Sequence, residues 1–464
     1  MSSLMKKPSR FNFDLLVIGS GPGGEVGAYL TAKTGKKVAM VEMDTPGGEC
    51  PNFGCVPTKA LLYAADTYRK SKKGNFFGIH AEPRLDYKEL KKWKDLAVLR
   101  TGTSQASELY KAEGIHAIRG RAEFVSPWAV KVRGKIITAK NFLIATGSSS
   151  FVPPIKGLKE SGYITYRDAI DLKKLPKSVF VIGGGAIGCE FTELFSTFGS
   201  KVSVAEMAPH LIPAEDEDVG KFVGDNFEQK GINVFTGARV VKVEKSGRKK
   251  VVYLKQDGKT HQAKVDVVMI ASGMAPNVDM GLEEAGVKYS RRGVEADKHM
   301  QTSVKHIYTA GDVTGPYGFT HMATYQGRVI AHNLEHPRKK QTVDYTAVPR
   351  CVFLDPEIAT VGATEKVLKE KGKDYLTATS PVSFLGRANT SDQTEGFVKV
   401  ISDLKGRLLG ASVVNPRAGE VMHELALAIR HKMTAHDISE TIHAYPTWSE
   451  AVRHACNKLA LKIK

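Results

Sequence analysis

Short apolar runs recur along the chain: DLLVI at 14–18, KVAMVE at 37–42, FLIAT at 142–146, SVFVIGG at 178–184, KVSVAE at 201–206 and DVVMIASG at 266–273. Stretches of helical period or turns separate them. Runs this short, rich in β-branched residues and bounded by glycine, read as strands covered on both faces. Their alternation with helices predicts an α/β architecture with parallel sheets. Residues 134–147 are rich in strand signal and close on NFLIATG, and the proline-bearing FVPPIKGL that follows reads as a crossover between domains. A second α/β unit spans about 177–273, where MAPN breaks the pattern. From about residue 346 the strands within CVFLDPEIATVG, GFVKVISD and RLLGASVV precede helical segments near 420–431 and 447–463, which predicts a separate α+β domain. The expected domains are therefore 1–150, 151–275, 276–345 and 346–464.

Composition narrows the class. At 464 residues the chain is too long for one hydrophobic core. With 42% hydrophobic and 25% charged residues it reads as globular. No apolar run approaches the roughly 20 residues a bilayer span needs, and MSSLMKKPSRFNFDLLVIG reads as a short tail entering a first strand, not as a signal peptide. Five cysteines, an odd number thinly spread, suggest a reducing compartment, so the expected location is cytoplasmic. The net charge of +18 sits in dispersed clusters such as SGRKK and HPRKK with no nucleic-acid motif beside them. That pattern reads as solvated surface and argues against a nucleic-acid partner.

The chain contains one internal repeat. Gly19, Gly21 and Gly24 follow the first strand in G-x-G-x-x-G spacing, and Glu42 closes the next strand 23 residues after Gly19. Gly183, Gly185 and Gly188 repeat the arrangement, with Glu206 again 23 residues on. The first glycine permits the tight turn, the second lets a pyrophosphate approach the backbone, and the third lets helix and strand pack closely. The helix N-terminus then faces the phosphates, and the acid accepts from a ribose. One such motif is a weak signal, but two in identical context predict two Rossmann-like domains binding two dinucleotides. Glu206 favours NAD over NADP, because a carboxylate repels a 2′-phosphate; Lys201 lies near it on the same strand, and no arginine immediately follows the acid.

Directly after the first acid comes GGECPNFGCVPTKALL, with Cys50 and Cys55 separated by four residues. In a reducing compartment a close pair suggests catalysis or metal binding. Zinc needs about four ligands, and no second pair accompanies this one, so no metal is expected. Cys189, Cys351 and Cys456 stand alone and read as small core residues.

At this point the chain resembles the flavoprotein disulfide reductases, the family that includes lipoamide dehydrogenase, glutathione reductase and mercuric reductase. The carriers are GSGPGG, the C-x4-C segment with VPTKAL, Ala145-Thr146-Gly147, GGGAIGCE, TSVKHIYTAGD and HAYPTWSE, together covering essentially the whole chain. The resemblance implies an FAD domain, an inserted NAD(H) domain, a central domain completing the flavin site and a C-terminal dimerisation domain. It implies a redox disulfide in which Cys55 lies beside the flavin and Cys50 meets the substrate. It also implies an ion pair of Lys59 and Glu190 near the reactive flavin nitrogen, Lys59, Thr146 and Gly147 at the flavin, and Asp312 on its ribityl chain. A homodimer follows, with Tyr445 and Glu450 facing the partner's thiols and a cis Tyr445–Pro446 bond.

The chain departs from the pattern at its C-terminal motif. Lipoamide dehydrogenase and glutathione reductase carry histidine before this proline, whereas here Tyr445 takes its place and His443 stands two residues early. Tyrosine, with an unperturbed pKa of about 10, is a poor base near neutral pH. Mercuric-reductase-like members are closer at this position, but HACNKLALKIK holds only Cys456 where the mercury enzymes carry an adjacent cysteine pair, and no heavy-metal-binding domain precedes residue 11. The leading expectation is thus an NADH-dependent reductase of a disulfide or other small acceptor. The alternatives are a dihydrolipoamide dehydrogenase, with His443 as substitute base, and a non-enzymatic flavin-bearing redox sensor or binding protein.

Overall fold

The computed structural model describes residues 6–315 and 317–463; residues 1–5 of the expected N-terminal tail lie outside the described residues. The chain divides into two compact units. One comprises Met1–Ala60, Lys88–Phe151 and Gly273–Val343, the other Leu61–Tyr87, Val152–Ser272 and Asp344–Lys464. The chain thus leaves the first unit after Phe151, returns at Gly273 and leaves again after Val343, while residues 61–87 cluster with the second.

The first unit is built on parallel strands in the order Ile115–Arg119, Val38–Glu42, Phe13–Ile18, Lys135–Ile144 and Ile307–Thr309. Register is set by pairs such as Leu16 with Phe142 and Phe142 with Ile307. The strand FDLLVI lacks polar alternation because both its faces are covered. Leu15 and Val17 pack with Ala28 and Leu143 on one side, Leu16 and Ile18 with Phe124 and Phe142 on the other. The helix Pro22–Lys33 starts with proline at its first position, where the missing N–H costs nothing. Glycines let it lie close to its neighbours: a Cβ on Gly27 would stand 2.6 Å from Leu143 Cδ2, and one on Gly327 of the helix Thr320–Glu335 would stand 2.5 Å from the Gly23 carbonyl. An antiparallel hairpin, Ala122–Ser126 with Ala129–Val132, extends the sheet through the start of Lys135–Ile144.

In the second unit the parallel order is Asn233–Phe235, Lys201–Ala205, Ser178–Ile182 and Val267–Ile270, followed in the same residue range by the antiparallel strands Arg239–Ser246, Lys249–Gln256 and Lys259–Val265. The strand SVFVI is buried along its whole length. A five-stranded antiparallel sheet runs Pro349–Val352, Glu357–Gly362, Leu408–Asn415, Phe397–Ser402 and Leu376–Pro381. Helices Ala418–Arg430 and Glu450–Ala460 bury Leu425, Ala428, Val452, Ala455 and Leu459 in the core that includes its Val398, Val400 and Val413. The Tyr445–Pro446 peptide is cis, as the resemblance implies, and so is Asp355–Pro356. Among the described residues no helix is long and apolar enough to cross a membrane.

Candidate functional site

Each glycine of the first loop has a separate physical job. Gly19 holds φ +101°, and a Cβ there would meet the Ala145 carbonyl oxygen at 2.2 Å. A Cβ on Gly24 would meet the Gly19 carbonyl at 2.1 Å, whereas one on Gly21 would enter open space. That open position, at the N-cap of Pro22–Lys33, is where a pyrophosphate needs the backbone bare. Tyr110 places its buried hydroxyl beside Ser20 and Glu25 without hydrogen-bond geometry to either, and burial pushes its phenol up. An orphaned donor beside a bare loop fits a phosphate-bearing ligand.

The second loop reproduces this geometry. Gly183 holds φ +110° with the Ala271 carbonyl 2.3 Å from its hypothetical Cβ, a Cβ on Gly188 would lie 1.9 Å from the Gly183 carbonyl, and Gly185 again faces open space at the N-cap of Ala186–Thr197. The acids match as well. Glu42 accepts from the Ser20 amide at 2.8 Å and the Asp44 amide at 2.7 Å; Glu206 accepts from the Gly184 amide at 2.7 Å and the Ala208 amide at 2.8 Å. Each carboxylate is thus held by the amide after the first glycine and the amide two residues beyond itself. Both remain acceptors with spare lone pairs for ribose hydroxyls. Lys201 is exposed.

Asp312 follows Gly311, whose φ is +81°, and opens a short 3-10 turn. Burial raises its carboxyl above the ordinary range, against the pull of the Ser148 hydroxyl at 2.7 Å. Nearby, Thr146 donates to the Asn277 carbonyl at 2.8 Å, Asn277 returns its side-chain amide to the Thr146 carbonyl at 2.9 Å, and the Asn277 backbone N–H reaches the Gly147 carbonyl at 2.9 Å. Gly147 holds φ +67°. MAPN therefore does more than break a pattern. It pins the Ala-Thr-Gly turn, and Ser20, Ser148 and Asn277 join the candidate site without having been singled out in the sequence; of the three, only Ser20 carried a local signal, as a small polar residue inside the first glycine motif.

Cys50 sits in the helical turn Glu49–Asn52, and Cys55 is the first residue of the helix Cys55–Lys73. They are two thiols in hydrogen-bond contact and not covalently joined. The contact with Cys55, then burial, pushes the Cys50 thiol up, and Cys55 stands at a helix N-terminus, where the backbone N–H groups favour a negative charge. The Thr320 hydroxyl lies 3.6 Å from Cys55 Sγ. Lys59, one turn further along the same helix, is half-buried. Glu190, on Ala186–Thr197, is buried and accepts from the Phe353 amide at 3.1 Å.

In the C-terminal motif Tyr445 is 76% exposed, and its ring lies so close over Gly386 that a Cβ there would meet Tyr445 Oη at 2.7 Å. Buried Glu450 accepts from the Thr447 amide at 3.2 Å. His443 has Nε2 2.8 Å from Glu424 and Nδ1 2.8 Å from the Thr441 carbonyl. Both ring nitrogens therefore already face acceptors in the same chain. Cys189 and Cys456 are buried, and Cys351 is half-buried against the C-terminal core.

Comparison with known proteins agrees with this geometry. The family described as pyridine nucleotide-disulphide oxidoreductase matches residues 13–327, and its dimerisation domain matches residues 348–456. The mercuric reductase of Staphylococcus aureus is 35% identical over 96% of this chain and 82% of its own length. The dihydrolipoyl dehydrogenase of Thermus scotoductus is 37% identical over 96% of this chain and 97% of its own. The structure of the HOCl-induced flavoprotein disulfide reductase RclA from Escherichia coli superposes with a TM-score of 0.84 at 29% identity, covering 96% of this chain and 99% of that one.

Proposed function

This chain belongs to the pyridine nucleotide-disulphide oxidoreductase family, and from that premise we propose that it reduces a disulfide or other small acceptor through Cys50, drawing electrons from NADH. The family uses FAD and NAD(P)H. When bound, FAD would supply two-electron chemistry linking the nicotinamide to the disulfide form of the cysteines. The chain's own contribution is to hold and divide charge. The bare backbone at Gly21 and Gly185 receives the two pyrophosphates, with Gly19, Gly24, Gly183 and Gly188 shaping the loops. Glu42 and Glu206 accept from the riboses. Thr146, Gly147 and Asp312 would hold the flavin, and Lys59 and Glu190 would serve as its charged pair. On reduction, the S–S bond takes two electrons and one proton, leaving Cys50 as thiol and Cys55 as thiolate. Proton loss from Cys50 then frees it to attack the acceptor.

The observation that carries the acceptor assignment is Tyr445. A dithiol such as dihydrolipoamide needs a base at that position, and the exposed phenol is a poor one. His443, the candidate substitute, would first have to leave both Glu424 and Thr441. The domain division 1–150, 151–275, 276–345 and 346–464, a homodimer with Tyr445 and Glu450 near the partner's thiols, and a cytoplasmic location form part of the same proposal.

Stopped-flow flavin reduction by NADH, run beside steady-state turnover with lipoamide and with a panel of disulfides, quinones and metal ions, tests it. Flavin reduction should be fast and lipoamide turnover slow. Tyr445→His should raise lipoamide turnover by about 10²-fold, the lower range of acid–base assistance, and leave flavin reduction alone. Wild-type lipoamide turnover as fast as flavin reduction would overturn the assignment, and absence of steady NADH oxidation with every acceptor would favour a redox sensor.

A further inference from the structure

The helix Ala186–Thr197 carries a second buried carboxylate, Glu193, three residues after Glu190 and therefore on the same face. Its side chain is 1% exposed, yet it is surrounded by donors. Arg69 Nη1 lies 3.0 Å away, Lys230 Nζ 3.4 Å, and the Asp355 amide donates to it at 3.3 Å. The same cations also hold the turn that supplies this amide: Lys230 donates to the Asp355 carbonyl at 2.5 Å, and Arg69 Nε lies 3.0 Å from the Asp355 carboxylate. Arg69 reaches back to the helix a second time through Thr197 Oγ1 at 3.2 Å. Glu190 meanwhile accepts from the Phe353 amide. Two carboxylates one helical turn apart thus receive two N–H groups from a single turn.

We propose that Glu193, with Arg69 and Lys230, is a positioning residue for Glu190: it locks residues 353–355 against the helix so that the Glu190 carboxylate is held in one place. The inference rests on the assignment of Glu190 to the charged pair beside the flavin. Burying a carboxylate is costly unless it is paired, and burial does raise the Glu193 carboxyl while Lys230 and Arg69 pull it down. A purely apolar side chain would fill this space at less cost, whereas a fixed charge with two cations and an amide has a single geometry. Arg69 belongs to the helix that begins at Cys55, so the network also ties the far end of that helix to the helix following the second glycine loop.

The test uses the FAD-loaded protein and Glu193→Gln, which keeps the shape and removes the charge. Amide hydrogen exchange should speed up at Asp355 and also at Phe353, although the acceptor of Phe353, Glu190, is untouched. NADH-driven flavin reduction should fall about tenfold with NADH affinity little changed, because the loss is one of placement. Combined with Glu190→Gln it should cost nothing further, since coupled residues are non-additive. Lys230→Gln, at a more exposed position, should act in the same direction but more weakly, and stands in if Glu193→Gln does not fold. Faster exchange at Asp355 alone, or additive losses in the double variant, would overturn the proposal. Wild-type protein without NADH-driven flavin reduction would instead sink the functional reading itself.

Discussion

At the scale of single residues, the role proposed for Asp312 in the FAD site would come at the expense of the empty fold. Its folded carboxyl value lies above the unfolded one because burial outweighs the Ser148 hydrogen bond. An acid shifted upward adds stability only below its unfolded value, near 3.8, and loses it as pH rises through the folded value. At neutral pH the anion therefore destabilises the cofactor-free chain, and hydroxyls of a bound ribityl chain would offset that cost. Asp312→Asn should make the FAD-stripped protein melt higher than wild type at pH 7 and should weaken FAD retention by about tenfold or more, the worth of a hydrogen bond to a charged group. Calorimetry of the stripped protein and FAD titration check both halves; a stripped variant that melts lower than wild type would refute the account. Cys50 and Cys55 were singled out by their spacing, and Asp312 by the family resemblance. Ser148 and Asn277 were not, because each acts on a partner more than a hundred residues away that no local pattern connects to it.

At the scale of elements, the two glycine loops were the most legible part of the chain, because the demands on each glycine come from atoms within one strand–turn–helix unit. What the sequence did not disclose is that both acids are already clamped by matching amide pairs, Ser20 with Asp44 and Gly184 with Ala208. Since the loops belong to different units, their failures should be separable. Gly188→Ala places a methyl 1.9 Å from the Gly183 carbonyl and should raise the NADH Kd about tenfold or more, as overpacking by a methyl costs about 1–3 kcal/mol, while FAD content stays at wild-type level. Gly24→Ala, which meets the Gly19 carbonyl at 2.1 Å, should do the reverse and shed FAD. Equilibrium NADH titration and flavin absorbance of the purified variants decide it, and loss of FAD in Gly188→Ala would show that the loops are not independent. The turn at residues 353–355, by contrast, carried no motif. Its importance comes from where Glu190 and Glu193 meet it, which only the fold reveals.

For the whole molecule, the dimerisation domain matched over residues 348–456 leaves Ile442 at 97% exposure, Tyr445 at 76% and Leu427 at 60%. A dimerisation domain supports pairing with a second copy, commonly about a twofold axis, and bare side chains of this kind are candidates for that interface. Ile442→Asp should therefore shift sedimentation equilibrium toward the monomer and reduce acceptor turnover, leaving NADH-driven flavin reduction in place. A variant that stays as dimeric as wild type would place the interface elsewhere. The family resemblance implied an inserted domain, but nothing in the sequence pointed to residues 61–87 clustering with the second unit, which leaves the first assembled from three separate stretches of chain. That arrangement has a consequence for how the protein is made. The strand Ile307–Thr309 pairs with Phe142–Ile144, and Asp312 of the proposed FAD site lies just beyond it, so the sheet cannot close until about two-thirds of the polypeptide has been translated. Chains fold from the N-terminus as they emerge. Until then the ribosome carries a half-built sheet with an open edge at Phe142–Ile144, three residues fully buried in the finished protein. For that interval the nascent chain depends on whatever shields such an edge in the cell.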